Sequence, residues 1–268
     1  MDFSQVKLIV SDMDGTLLNS NNEVSDRFFE IYKELKNKNI QFVAASGRQL
    51  FSIKDKLSPI KDEIYVIAEN GGITLKADKV LNTYSLSLAK VQQIVEKIRE
   101  IKDAEIVICG KAKAYIESKN QDFIEFFKEF YVEYAQVENL LEVKDDEFFK
   151  IAVYHPTDAE KHIYAEVKNF ENQFKVKVSG EHWVDLSGLE THKGNALQQL
   201  QDNLGIKKSE TMVFGDYNND LEMLELADFS FAMANAHPNV KAIAKFTTKS
   251  NDEFGVETIL EKVILPSK

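Results

Sequence analysis

Lys7 to Leu18 reads KLIVSDMDGTLL: three apolar residues, Leu8, Ile9 and Val10, run straight into Ser11, Asp12 and, one residue later, Asp14. A short, continuously apolar run suits a strand covered on both faces in a parallel sheet, whereas a half-exposed strand would alternate. A chain that ends such a strand on two like charges places them just past the core, at the rim of the sheet. The pattern recurs. FVAA leads to Ser46, Gly47 and Arg48, YVIA to Glu69, Asn70, Gly71 and Gly72, and MVF to Gly215 and Asp216. Helical stretches lie between, one with Ser25 as N-cap and Phe28, Ile31, Tyr32 and Leu35 on one face, another with Ala196, Leu197, Leu200 and Leu204 before Gly205 as a stop. Strands alternating with helices predict an α/β fold with a mostly parallel sheet, and ligands at the carboxyl ends of its strands near a topological switch point.

The middle of the chain reads differently. From about Leu86 to Asp185 come a helix through Val91, Ile94, Val95, Ile98 and Ile101, a hairpin of EIVICG and KAYIES, and an aromatic helix from Phe123 to Phe130. The strand FFKIAVYH, a further helix and the pair KVKVSG and HWVDLS complete it. None of these ends in a comparable polar cluster, and the motif-bearing strands resume only afterwards. We therefore expect an α+β module inserted into the α/β domain, with boundaries at 1–83, 84–185 and 186–268. A length of 268 residues, 44% of them hydrophobic, accommodates two domains.

The balance of 33 basic against 44 acidic residues, a net charge of -11, disfavours nucleic acid and anionic lipid as partners. Any phosphate-bearing ligand must then be held by local devices. The start, MDFSQVKL, lacks a signal peptide's pattern, and no apolar run approaches the ~20 residues that span a bilayer, so a cytoplasmic location is the expectation. Cys109, the single cysteine, reads as a small buried hydrophobe.

Two carboxylates one residue apart at a strand end can hold a hard cation through oxygen, or divide the work of nucleophile and acid/base. The string D-M-D-G-T-L-L is joined by SGR at Ser46, THKG around Lys193 and GDYNND from Gly215 to Asp220. In this order, each at a strand or helix end, the set resembles the haloacid dehalogenase superfamily of phosphotransferases. The large insert, NGG at Asn70, MANA at Met233 and SNDEFGV near the end make it similar to Cof-type sugar-phosphate phosphatases with a type IIB cap. The resemblance covers essentially the whole chain and implies a Rossmann-like core with an inserted α+β cap domain.

It also implies a Mg²⁺-dependent phosphatase acting on a small phosphorylated metabolite, a sugar phosphate above all. Asp12 matches the nucleophile that forms an aspartyl phosphate, and Asp14 the general acid/base. Asp12, Asp216 and the main-chain carbonyl of Asp14 match the Mg²⁺ site, with Asp220 in or behind its shell. Ser46, Gly47, Lys193 and Asn219 match the phosphate clamp, although Asn219 also suits the cap of the helix carrying Leu221 and Leu224. Gly15 reads as a turn residue and His192 as a neighbour of the site. His155, His182 and Trp183 either line the roof of the site or pack the insert's sheet. A phosphomutase of the same superfamily and a catalytically silent binding module are the competing functions. A D-x-D glycosyltransferase would leave SGR, THKG and GDYNND unexplained.

Overall fold

The computed structural model describes residues 2–265. They divide into two compact units, one of residues 2–47, 53–82 and 192–265, the other of Arg48–Ser52 and Thr83–Thr191.

In the first unit the chain lays down β1 (Leu8–Asp12), β2 (Gln41–Ala45), β3 (Tyr65–Ala68), β4 (Ile73–Lys76) and β5 (Lys79–Thr83). The insert carries β6 (Glu105–Gly110), β7 (Ala114–Ile116), β8 (Tyr134–Gln136), β9 (Phe148–Tyr154), β10 (Lys175–Gly180) and β11 (Trp183–Ser187). The chain then returns with β12 (Thr211–Gly215), β13 (Phe229–Ala232) and β14 (Phe246–Thr247). Among the described residues the first sheet has the order β14-β13-β12-β1-β2-β3-β4-β5. It is parallel from β14 to β3 and turns antiparallel where β3 meets β4.

β1 is buried along its whole length, with Leu8, Ile9 and Val10 fully inaccessible. It also lies where the strand order reverses: β2 follows on one side, β12 on the other. The register pairs Asp12 with Ala45 of β2 and Ser11 with Phe214 of β12. Because the strands are parallel and in step, the residues after each of them, Ser46 and Asp216, emerge beside Asp12 at one edge. The crossover helix Asp26–Asn37 starts on the expected cap, Ser25 Oγ accepting from the Phe28 N–H at 3.1 Å, and buries Phe28, Ile31, Tyr32 and Leu35. Loss of such a cap costs about 1 kcal/mol. The helix Lys193–Leu204 ends at Gly205 in the left-handed conformation, as its sequence predicts.

The second unit is built on the sheet β10-β11-β9-β6-β7-β8, antiparallel except where β7 meets β8. Alternate residues of its strands feed two apolar clusters. Ile151, Val153, Val184 and Leu186 join Val91, Ile94, Val95 and Ile98 of the helix Leu88–Ile98 in one. Val107, Cys109 and Ala152 join Phe123 and Phe127 in the other, with Tyr154 and Trp183 packed against it. The aromatic stripe is core: the Phe126 ring stacks on Trp183 at 6.2 Å, and Trp183 packs on Tyr154 at 5.3 Å. The helix carrying the stripe ends at Phe127, leaving Phe130 beyond it. Cys109 is buried, its Sγ 3.4 Å from the Tyr131 hydroxyl. Among the described residues no helix is long and apolar enough to cross a membrane.

Candidate active site

The carboxyl edge of the first sheet gathers residues that are far apart in sequence. Asp12 ends β1 and is 5% exposed. The Lys193 ammonium, fully buried at the start of its helix, donates to Asp12 Oδ1 at 2.5 Å and to Asp220 Oδ1 at 2.7 Å. Asp220 spends its other oxygen on the main-chain N–H groups of Asp216 and Tyr217, at 2.9 and 3.2 Å. That pair of bonds fixes the turn after β12 and so aims Asp216. Asp216 in turn accepts from Thr16 Oγ1 at 3.2 Å.

The turn Met13–Leu17 wraps this cluster. Gly15 has φ +70°, and a Cβ there would overlap the Asp216 carboxylate, so only glycine lets the turn approach so closely. Asn235 Nδ2, within the MANA string, donates to the Gly15 carbonyl at 2.8 Å. Asp14, by contrast, is exposed in the turn.

Ser46 is buried directly after β2, its N–H bonded to the Ile67 carbonyl at 2.9 Å. Asn219 does not serve as a helix cap. Its Nδ2 donates to Asn70 Oδ1 at 3.1 Å, while Asp220 holds the turn. His192 is the N-cap of the Lys193 helix, Nδ1 accepting from the Asn195 N–H at 3.2 Å.

Charge is crowded here. Burial, then Asp220, pushes the Asp12 carboxyl well above the usual carboxylate range; Asp216 and Asp14 add to this and Lys193 opposes it. Asp216 is pushed up to about 6, by burial first and Asp220 next. Burial works against the Lys193 ammonium, but Asp12 and Asp220 outweigh it and its pKa rises above the ordinary lysine value. Asp12, Asp216 and Asp220 each offer a carboxylate oxygen within 4.8 Å of the others. Three carboxylates against one ammonium leave excess negative charge in a buried site. An all-oxygen donor set of this kind suits a hard divalent cation.

Thr16, Asn235 and Asn70 are the neighbours that sequence reasoning passed over. All three lie inside or beside recognised strings, so the signal was present without a role attached.

A family model described as haloacid dehalogenase-like hydrolase matches residues 9–260. The 5-amino-6-(5-phospho-D-ribitylamino)uracil phosphatase YbjI of Escherichia coli is 35% identical over 261 residues, covering 97% of this chain and 96% of the relative. Among solved structures, SMU.1108c of Streptococcus mutans superposes with a TM-score of 0.89 at 30% identity, covering 96% of this chain and 98% of that one. TM0651 of Thermotoga maritima does so with a TM-score of 0.85 at 28% identity, covering 98% of both. With the motif strands side by side at one sheet edge and a match of this extent, the chain belongs to the haloacid dehalogenase-like hydrolase family, as one of its Cof-type phosphatases.

Proposed function

We propose that the chain hydrolyses small phosphorylated metabolites, of the sugar-phosphate class, through an aspartyl phosphate on Asp12. The observation that carries this reading is the pairing of Asp12 with a fully buried Lys193 at the carboxyl edge of the sheet, beside Asp216 and Asp220. Burial raises the Asp12 pKa and favours the protonated, unreactive form; the ammonium 2.5 Å away works against that, and a cation held by the same carboxylates would add to its effect and favour the nucleophilic carboxylate.

In the first step an Asp12 oxygen bonds to phosphorus as the ester P–O bond breaks, and Asp14 gives its proton to the departing oxygen. In the second, Asp14, now a carboxylate, takes a proton from water; that water's oxygen bonds to phosphorus and the Asp12–phosphorus bond breaks, returning both residues to their starting states. Exposure suits Asp14 to this exchange, because its proton must pass to and from leaving group and water. Ser46, the Gly47 N–H, Asn219 and the ammonium of Lys193 are the donors for the phosphoryl oxygens, on which charge develops. Asp12, Asp216, Asp220 and the Asp14 carbonyl are the residues that would hold Mg²⁺. Bound there, the ion supplies positive charge to the phosphoryl group and offsets the crowding of carboxylates.

The insert, taken as 84–185, is the substrate-selecting domain in this reading, since the donor set above lies outside it. The relative from Escherichia coli is named for a phosphorylated ribityl compound, which supports a polyol or sugar phosphate as the class of substrate.

The test is a phosphate-release screen over phosphometabolites with Mg²⁺ and with excess EDTA. Release that depends on Mg²⁺ and favours sugar or polyol phosphates is expected. Full activity in EDTA, or isomerised substrate in place of inorganic phosphate, would contradict the reading.

A further inference from the structure

We propose that Asn70 is a positioning residue of the phosphoryl-transfer site, fixing Asn219 and the Ser46–Gly47 turn to one another. The inference rests on the phosphatase reading above. Directly after β3 the backbone takes three positive φ angles in a row: Glu69 at 52°, Asn70 at 55° and Gly71 at 99°. Two of these residues carry side chains, and such a run is costly unless its surroundings hold it.

The contacts that hold it reach three of the site's loops. The Asn70 N–H donates to the Ser46 carbonyl at 3.0 Å. Its Oδ1 accepts from Asn219 Nδ2 at 3.1 Å. Gly47 faces the same carboxamide so closely that a Cβ there would lie 3.0 Å from both Nδ2 and Oδ1. Gly71 sits against the backbone that starts the Lys193 helix, where a Cβ would lie 2.5 Å from the His192 carbonyl oxygen. One short turn therefore touches the segments carrying Ser46, Asn219 and Lys193.

Asparagine suits the position on two counts. It tolerates the left-handed region better than other side-chain-bearing residues, and its carboxamide oxygen accepts a hydrogen bond. Once Asn219 commits one amide N–H to Asn70, the plane of that amide is set and its second N–H has one direction. Asn70 acts through Asn219 and the Ser46–Gly47 turn, not on the phosphoryl group itself.

The test uses the full chain with Mg²⁺ and inorganic phosphate as the probe, read by titration calorimetry alongside Tm. Asn70→Gly keeps the left-handed backbone and the N–H but removes the carboxamide. It should weaken phosphate binding about 10-fold, the effect of losing one well-aimed hydrogen bond to an anion, with Tm close to wild type. Asn219→Ala should weaken binding by at least as much, and the double variant should equal Asn219→Ala alone. If Asn70→Gly does not fold, Asn70→Ser, too short to reach Asn219, carries the same expectation. Unchanged phosphate affinity in Asn70→Gly overturns the proposal. So does a double variant that loses both factors in full, or failure of both Asn70 variants to fold, which would make the residue structural. Wild-type protein that binds no phosphate with Mg²⁺ present would instead remove the phosphatase reading itself.

Discussion

Each of the two units buries a lysine, and these two are the buried lysines among the described residues. In the second unit Lys150 of β9 donates to Asp185 of the neighbouring β11 at 3.1 Å, with the two residues 4% and 6% exposed. There an ammonium meets a carboxylate across two paired strands. In the first unit Lys193 meets two carboxylates, Asp12 and Asp220, with Asp216 a further member of the cluster. There the carboxylates outnumber the ammonium, and burial raises the pKa of both Asp12 and Asp216. A buried ion pair lets a sheet take polar groups into its core, whereas an excess of carboxylates can hold a cation. In the proposed reading, the difference separates a pair that serves the fold from a cluster that serves the chemistry.

The largest expected effect comes from the proposed nucleophile. Asp12→Asn should keep the fold, since Lys193 retains Asp220, but lower phosphate release at least about 10⁴-fold, on the scale of losing a covalent nucleophile. Near wild-type release would break the comparison at once.

Next come the two lysines taken in parallel. Lys193→Met and Lys150→Met each remove an ammonium from a buried carboxylate, so each should cost about 3 kcal/mol in urea unfolding. Only Lys193→Met should also lower turnover of p-nitrophenyl phosphate, by roughly 10² or more. Lys150→Met/Asp185→Leu should recover part of that stability, because replacing both partners of a buried ion pair by apolar groups is often neutral. If Lys150→Met lost turnover to the same extent as Lys193→Met, the two lysines would not differ in kind.

A smaller effect is expected at Gly71→Ala. The new Cβ must occupy a left-handed backbone and push on the His192 carbonyl 2.5 Å away, which should cost about 2 kcal/mol. Because His192 precedes Lys193, kcat should fall too, and thermal unfolding with steady-state kinetics reads both.

The smallest concerns pH and the second unit. His155 is 6% exposed and stacks on His162 at 4.4 Å. Burial first and His162 next hold its pKa below the ordinary value. The folded protein thus keeps His155 neutral while the unfolded chain takes up a proton, so this residue's contribution is full above pH ~6.5 and is lost as pH falls below it. Denaturation midpoints of wild type and His155→Gln should converge as pH drops from about 7 to about 5.5; a constant gap would refute the assignment.

The sequence made the gathering of Asp12, Ser46 and Asp216 legible because the parallel strands end together: a polar residue after each apolar run is a statement about one sheet edge. Ser25 and Gly205 were legible for a similar reason, since capping is local. The Asn70 turn was not, because its meaning lies in contacts with Ser46, Asn219 and His192 that no periodicity encodes. The role of Asn219 was open between cap and clamp, and only the position of Asn70 decides against the cap. In the second unit the individual strands could be read from their apolar runs. The order β10-β11-β9-β6-β7-β8 could not, since the pairing of β9 with both β6 and β11 depends on long-range packing. His182 and Trp183 were undecided in the same way, and the structure packs both on Phe126.

The account turns on covalent chemistry at Asp12, and acyl-phosphate trapping addresses that directly. Wild-type protein turning over p-nitrophenyl phosphate with Mg²⁺ would be quenched and treated with borohydride, which reduces an aspartyl phosphate to homoserine, and its peptides read by mass spectrometry. Homoserine at position 12 that appears only with substrate is the predicted result. An unmodified Asp12 during sustained turnover, or trapping at Asp14 or Asp216 instead, would contradict it.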